Sequence, residues 1–160
     1  MKKEKEKEKK IGFKIIKIQT LEFSFKEVEN NIIENLFFEN NPIKININFN
    51  INIDKDKSEI TFDVNSFLPE TTENNYVTHS GRTSFKIVGL DDCYEPENDT
   101  FQLPDNFMIQ LLSISFSHCR ALLSVELSST NFKDKYFLPI IDPAAVFNST
   151  KQNINTKKKS

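Results

Sequence analysis

Two histidines, His79 and His118, and two cysteines, Cys93 and Cys119, are the side chains in this chain best suited to nucleophilic or metal chemistry. Their placement argues against both. His118 follows Ser117 on a segment that reads as helix. Neighbouring helical residues point about 100° apart, so this hydroxyl and imidazole cannot form a nucleophile–base pair. Neither histidine has an evident third group to orient it, and both read as structural. The cysteines lack the short spacing of a zinc pair and would have to converge with the histidines from separate elements. Asp54/Asp56 and Asp91/Asp92 are placed as turn residues rather than as a carboxylate dyad. Glycines at 12, 81 and 89 are too scattered to cradle a phosphate. The sequence therefore predicts no catalytic residues, no metal and no cofactor.

The totals bound the remaining options. A chain of 160 residues predicts one domain. Fifteen Phe and no Trp predict a core built from Phe and Ile. A net charge of −2 argues against nucleic acid as partner, because tracking phosphates needs a net basic face. The alternating Lys and Glu after Met1 contain no apolar core, so they do not read as a signal peptide. No apolar run approaches the roughly 20 residues of a membrane span. A cytoplasmic protein with reduced thiols is the expectation. Residues 1–10 as a helix would set Lys3 against Lys7 and Glu4 against Glu8, so a disordered charged tail is expected there. Residues 151–160, ending in three lysines and Ser160, are expected to be a disordered basic tail, which leaves 11–150 as the domain.

Within that domain the order is strands first, then a long helix, which predicts an α+β fold. Phe13 to Phe25 reads as the first strand, but its apolar residues fall in three phases, so bulges or two covered faces are expected. Glu27–Asn41 reads as a polar connection whose apolar island, Leu36 to Phe38, tucks under the sheet. Ile43, Ile45, Ile47, Phe49, Ile51 and Ile53 alternate with polar residues without a break, which predicts a half-buried strand. Asp54 to Lys57 forms the hairpin turn, and Ile60, Phe62, Val64 and Leu68 mark the return strand, closed by Pro69. A fourth strand covers Tyr76 to Leu90, with a bulge or bend expected at Gly81.

Asp91–Pro104 reads as a crossover loop whose Tyr94, Phe101 and Leu103, with Phe107 beyond it, are the candidate lining of an apolar groove. Asp105 is placed as the N-cap of a helix reaching about Ser128. Met108, Leu111, Leu112, Ser115, Cys119 and Leu122 form its apolar face. Ser113, Ser117, Ser124 and Ser128 form a stripe of small residues that invites close approach by a second helix. An extended run from Tyr136 to Pro143 and a short helix around Ala144 to Phe147 follow.

This order resembles the SecB family of export chaperones, and several segments carry the resemblance. Phe13 to Phe25 is similar to the opening strand, with an aromatic, alternating aliphatics and an acid before a Ser-Phe pair. Ser84 to Leu90 is similar to the fourth strand, ending in an aliphatic-Gly-aliphatic step. Phe116 to Ala121 resembles an aromatic-X-X-Ala/Cys-Arg segment of the main helix. Phe137 to Pro143, leading to Phe147, stands for the Leu-Pro-rich linker. The chain departs from the family where Ser128 to Asn131 replaces a glycine-rich turn.

The resemblance implies an ATP-independent chaperone, a homotetramer that holds unfolded preproteins for export. Clients would bind Tyr94, Phe101, Leu103 and Phe107. Alternatives are a SecB-like chaperone of a toxin–antitoxin system and a structural adaptor without client-holding activity. The resemblance further implies docking of a translocase ATPase on an outer acidic surface that includes Glu22. Lys26 stands where a further acid is expected, so that docking is expected to be weak.

Overall fold

In a computed structural model, residues 10–38 and 43–157 are described. The charged stretch 1–9 and residues 158–160 lie outside them. The fold is α+β. Strands β1 (Gly12–Phe25), β2 (Asn46–Asp54), β3 (Glu59–Pro69) and β4 (Asn75–Val88) form one antiparallel sheet in the order β1-β4-β3-β2. A seven-residue helix, α1 (Asn30–Leu36), lies between β1 and β2. A 22-residue helix, α2 (Asp105–Glu126), lies on the inner face of the sheet, and α3 (Pro143–Lys157) ends the described chain.

The three-phase pattern of β1 resolves into two bulges. Ile15 pairs with Phe85 and Lys17 with Ser84, which leaves Ile16 extra; Thr20 pairs with Gly81 and Glu22 with Ser80, which leaves Leu21 extra. Each extra residue flips the phase once. Phe13, Ile15, Ile18, Phe23 and Phe25 thereby all stand opposite the inner row of β4, from Ile87 to Val77. On β3 the alternation is complete: Ile60, Phe62, Val64, Ser66 and Leu68 are all buried and every residue between them is only partly so. β2 pairs with β3 in unbroken register, Phe49 opposite Val64 and Ile51 opposite Phe62.

Gly81 has a different role from the bulge or bend expected of it. β4 keeps its register with β3 through this residue, and the bulge sits across from it on β1. Gly81 instead faces α2. A Cβ built there would lie 3.2 Å from Cys119 Sγ, 3.3 Å from Leu122 Cδ1 and 3.4 Å from the Cys119 Cα. The missing side chain is what lets the helix backbone approach the strand.

With α2 at that distance, its apolar residues divide the core into two connected clusters. Phe107, Met108, Leu111 and Leu112 pack on Ile60, Phe62, Phe85 and Ile87. Phe116, Cys119, Leu123 and Leu127 pack on Val64, Leu68, Val77, Phe132 and Tyr136. Each fully buried Leu or Phe contributes about 1.5–3 kcal/mol of transfer free energy. Among the described residues one helical stretch, Asp105–Ser129, is long and apolar enough to cross a membrane by length and composition. Serines rather than charges dilute it, which is why it escapes a search for continuous apolar runs; here its apolar face packs on the sheet.

Three local expectations are corrected. Asp105 is the first helical residue rather than the N-cap: Pro104 takes that position, and the Asp105 carboxylate meets Lys151 Nζ at 2.6 Å. The polar connection after β1 holds α1, which buries Ile33, while Phe37 stacks on Tyr136 and Phe38 stays exposed; Asn41 lies outside the described residues. The helix expected around Ala144 to Phe147 is longer and runs from Pro143 to Lys157.

Replacing Gly81 by Val forces Cys119 and Leu122 apart, and overpacking of this kind costs about 1–3 kcal/mol. Gly12→Ala, where no atom lies within 4 Å of the new Cβ, serves as the control. Chemical denaturation should show a lowered midpoint for Gly81→Val and a midpoint close to the parent for Gly12→Ala.

Candidate functional site

The fold does bring one histidine and one cysteine together. His79, on the inner face of β4, and Cys119, on α2, meet with Sγ 3.5 Å from Nδ1. Thr20 Oγ1 lies 3.4 Å from the other ring nitrogen, and the Cys119 thiol also lies 3.6 Å from the Val64 carbonyl oxygen. This is the composition of a thiol nucleophile with its base, but the surroundings disable it. His79 is 0% exposed and Cys119 1%. Burial pushes the Cys119 thiol up to about 12, and burial, opposed by the charge of Glu126, pushes the His79 imidazole below its usual value. A thiol that stays protonated, with no path to solvent, is a core group rather than a nucleophile. His118 bonds Thr83 through Nδ1 at 3.1 Å and stands apart from this pair. Among the described residues no three His, Cys, Asp or Glu side chains converge as a metal site.

The crossover residues are arranged differently from an open lining. They form a small hairpin, β5 (Tyr94–Glu95) with β6 (Thr100–Phe101), preceded by a turn of 3₁₀ helix. Tyr94 and Phe101 are cross-strand partners with ring centroids 5.2 Å apart. The Tyr94 hydroxyl donates to Asp99 at 2.7 Å, and Lys55 from the β2–β3 turn caps the ring at 3.4 Å. Phe101 and Leu103 are half-buried against the cluster that also receives Phe49, Val146 and Phe147. Phe107 is buried in that cluster, 6.0 Å from the Phe13 ring.

The apolar concavity lies beside these residues, in a place the sequence reading did not single out. Ile47, Asn48 and Phe49 of β2 face Ile141, Val146, Ser149 and Thr150 across a groove of about 640 Å³. β2 is an end strand of the sheet, so among the described residues one of its backbone edges has no strand partner. Its inward side chains are apolar and its outward ones, Asn46, Asn48, Asn50 and Asn52, are neutral and polar. Phe49 and Val146 belong both to this groove and to the cluster against which Phe101 and Leu103 pack. The groove and the crossover hairpin are thus two parts of one apolar tract. The groove joins residues almost a hundred positions apart, and strand alternation on β2 was the one signal for it.

The serine stripe is split. Ser113 and Ser117 border a concavity with Phe116, Arg120 and Ile140; Ser124 and Ser128 border another with Val125, Tyr136 and Phe137. Ser117, Ser124 and Ser128 are exposed, and the Ser117 hydroxyl bonds back to the Ser113 carbonyl at 3.0 Å. Arg120 holds the Pro139 carbonyl at 3.2 Å and so pins the extended run along α2, which leaves Phe137 55% and Ile140 89% exposed beside the stripe.

On the outer face Glu22 is exposed opposite Ser80. Lys26 does not confront it as a free charge, because its Nζ pairs with Glu70 at 2.5 Å. Asp63 is held by Arg82 through two hydrogen bonds of 2.7 Å, directly across the β3–β4 register. Glu70 and Asp63 are thus each engaged by a cation.

If the His79–Cys119 pair is core, native protein at mildly alkaline pH should leave Cys119 and Cys93 unlabelled by an aromatic disulfide reagent, while denatured protein releases both thiols. Rapid labelling of native Cys119 would contradict the closed site.

The chain matches no family model, and no curated protein matches it.

Proposed function

We propose that this chain is an ATP-independent holder of unfolded polypeptide, in the manner of the SecB-like export chaperones it resembles, acting in the cytoplasm. The observation that carries the reading is the apolar groove at the free edge of β2. An extended segment laid there can use main-chain hydrogen bonds to the strand edge for affinity while its alternate side chains enter the groove. Ile47, Phe49, Ile141 and Val146 make contacts that ask for apolar character and little sequence. Binding of this kind needs no nucleotide and no nucleophile.

Assembly is part of the same proposal. Beyond the cover of α2, the β1 edge exposes Ile15, Ile18 and Phe25 at 38%, 43% and 43%, together with the bulged Ile16 and Leu21. A long apolar sheet edge is a surface for association rather than for water. The serine stripe, bordered by Phe137 and Ile140, offers a second surface. Two distinct surfaces support a homotetramer. The pairing of Glu70 with Lys26 and of Asp63 with Arg82 supports weak docking of a translocase ATPase, because a basic partner would find those two carboxylates already engaged.

Two measurements test these points. Ile47→Ser with Val146→Ser should reduce the suppression of aggregation of an unfolded client severalfold, with circular dichroism unchanged. The triple change of Tyr94, Phe101 and Leu103 to Ser should have a smaller effect. The reverse ranking would move the site to the crossover hairpin. Light scattering should give the mass of a tetramer for the parent chain and smaller species for Ile18→Asp and for Ser117→Leu. A monomeric parent would contradict the assembly.

A further inference from the structure

The His79 ring does more than fill space. It stands where three elements meet: Nε2 reaches Thr20 on β1 at 3.4 Å, Nδ1 reaches Cys119 on α2 at 3.5 Å, and the ring itself is carried by β4. Phe23 of β1 packs on it with centroids 6.5 Å apart, and Ser66 of β3 bonds its backbone carbonyl at 3.5 Å. This contact lies beside the Gly81 approach of α2 and against the Thr20/Glu22 bulge, where the β1–β4 ladder is interrupted. Side-chain packing therefore holds β1 to the helix at one of the two points where the β1–β4 ladder is interrupted.

We propose that His79 is an acid-sensitive latch between β1 and α2, closed while the imidazole is neutral and opened when it is protonated. The groups around the ring are unable to accept the charge. Thr20 and Phe23 are the β1 side chains facing it, Ser66 comes from β3 and Cys119 from α2, and none is an anion. Glu22 stands opposite Ser80 on the outer face. Tyr136 is held protonated by burial. His118 on α2 is itself pushed toward neutrality by burial, and Arg120 is turned to Pro139. Glu126, two turns along α2, is the one carboxylate whose charge favours protonation, and burial outweighs it.

The sign follows from the two states. An opened His79 titrates near the ordinary value of 6.5, and the closed one titrates below it. The latch is thus fully closed above the ordinary histidine range. The opening constant then rises by up to about tenfold per pH unit as pH falls below that range, until the closed-state value is reached. The device is independent of the chaperone reading, since it concerns only how β1 is held to the helix.

The test uses the full chain and 4,4′-dithiodipyridine, a reagent that labels thiols in acid as well as at neutral pH. The labelled cysteine is located by mass spectrometry. Between about pH 7.5 and about pH 5.5, the Cys119 labelling rate, divided at each pH by that of the denatured chain, should rise by up to about tenfold in the parent and in His118→Gln, and stay constant in His79→Gln. No acceleration in the parent, or equal acceleration in His79→Gln, overturns the proposal. Should His79→Gln fail to fold, the parent still decides by NMR. The midpoint of the His79 ring titration should lie below 6.5 and match the pH at which amide protection in β1 stops falling, with β2–β3 amides still protected. A mismatch of these two values, or loss of protection across the whole sheet, overturns it.

Discussion

The contact between α2 and β4 at Gly81 sets the geometry of everything else. An α-helix lies on a sheet at a distance decided by the side chains between them, and here one position has none. Cys119 and Leu122 come within van der Waals reach of the strand, so the helix lies low over β3 and β4. Residues N-terminal to the contact then fall on Ile60, Phe62 and Phe85, and those C-terminal to it on Val64, Leu68 and Val77. A helix this low covers the middle strands well and the outer ones poorly. The exposed aliphatics of β1 and the groove along β2 are the two margins of the same cover.

Those margins have different chemistry. Along β1 the bulges turn Phe13, Ile15, Ile18, Phe23 and Phe25 to one face and leave Ile16 and Leu21 outside, which makes a broad hydrophobic edge. Along β2 the strand is regular and its outward row is asparagine, while α3 stands off to form a wall. A broad apolar edge suits a permanent partner with a matching surface. A walled groove with a free backbone edge suits a transient, extended one. The assignment of assembly to β1 and of client to β2 rests on this contrast.

Much of the fold was legible because strand alternation is a direct imprint of two-sided packing. The β2–β3 hairpin follows from Ile43 to Ile53 and from Ile60 to Leu68, and the three phases of β1 called for bulges or for two covered faces, of which the structure has the bulges. What stayed hidden was whatever depends on contacts between distant segments. α1 is a single turn or two held by one buried residue, Ile33, inside a polar stretch. The β5–β6 hairpin is four residues of strand stabilised by the Tyr94–Phe101 pair and by Lys55 from another turn. The His79–Cys119 contact needs the register of β4 under α2, which residue types alone do not convey. The groove was missed for the same reason, since α3 contributes half of it.

The central claim is that β2 and α3 receive extended chain, and amide hydrogen exchange tests it most directly. Exchange is followed by mass spectrometry with and without saturating unfolded client. The account predicts that client slows exchange in β2 and in the first turns of α3, while the outer ends of β4 and the β5–β6 tip are unchanged. Protection confined to the crossover hairpin, or none in β2, would contradict it.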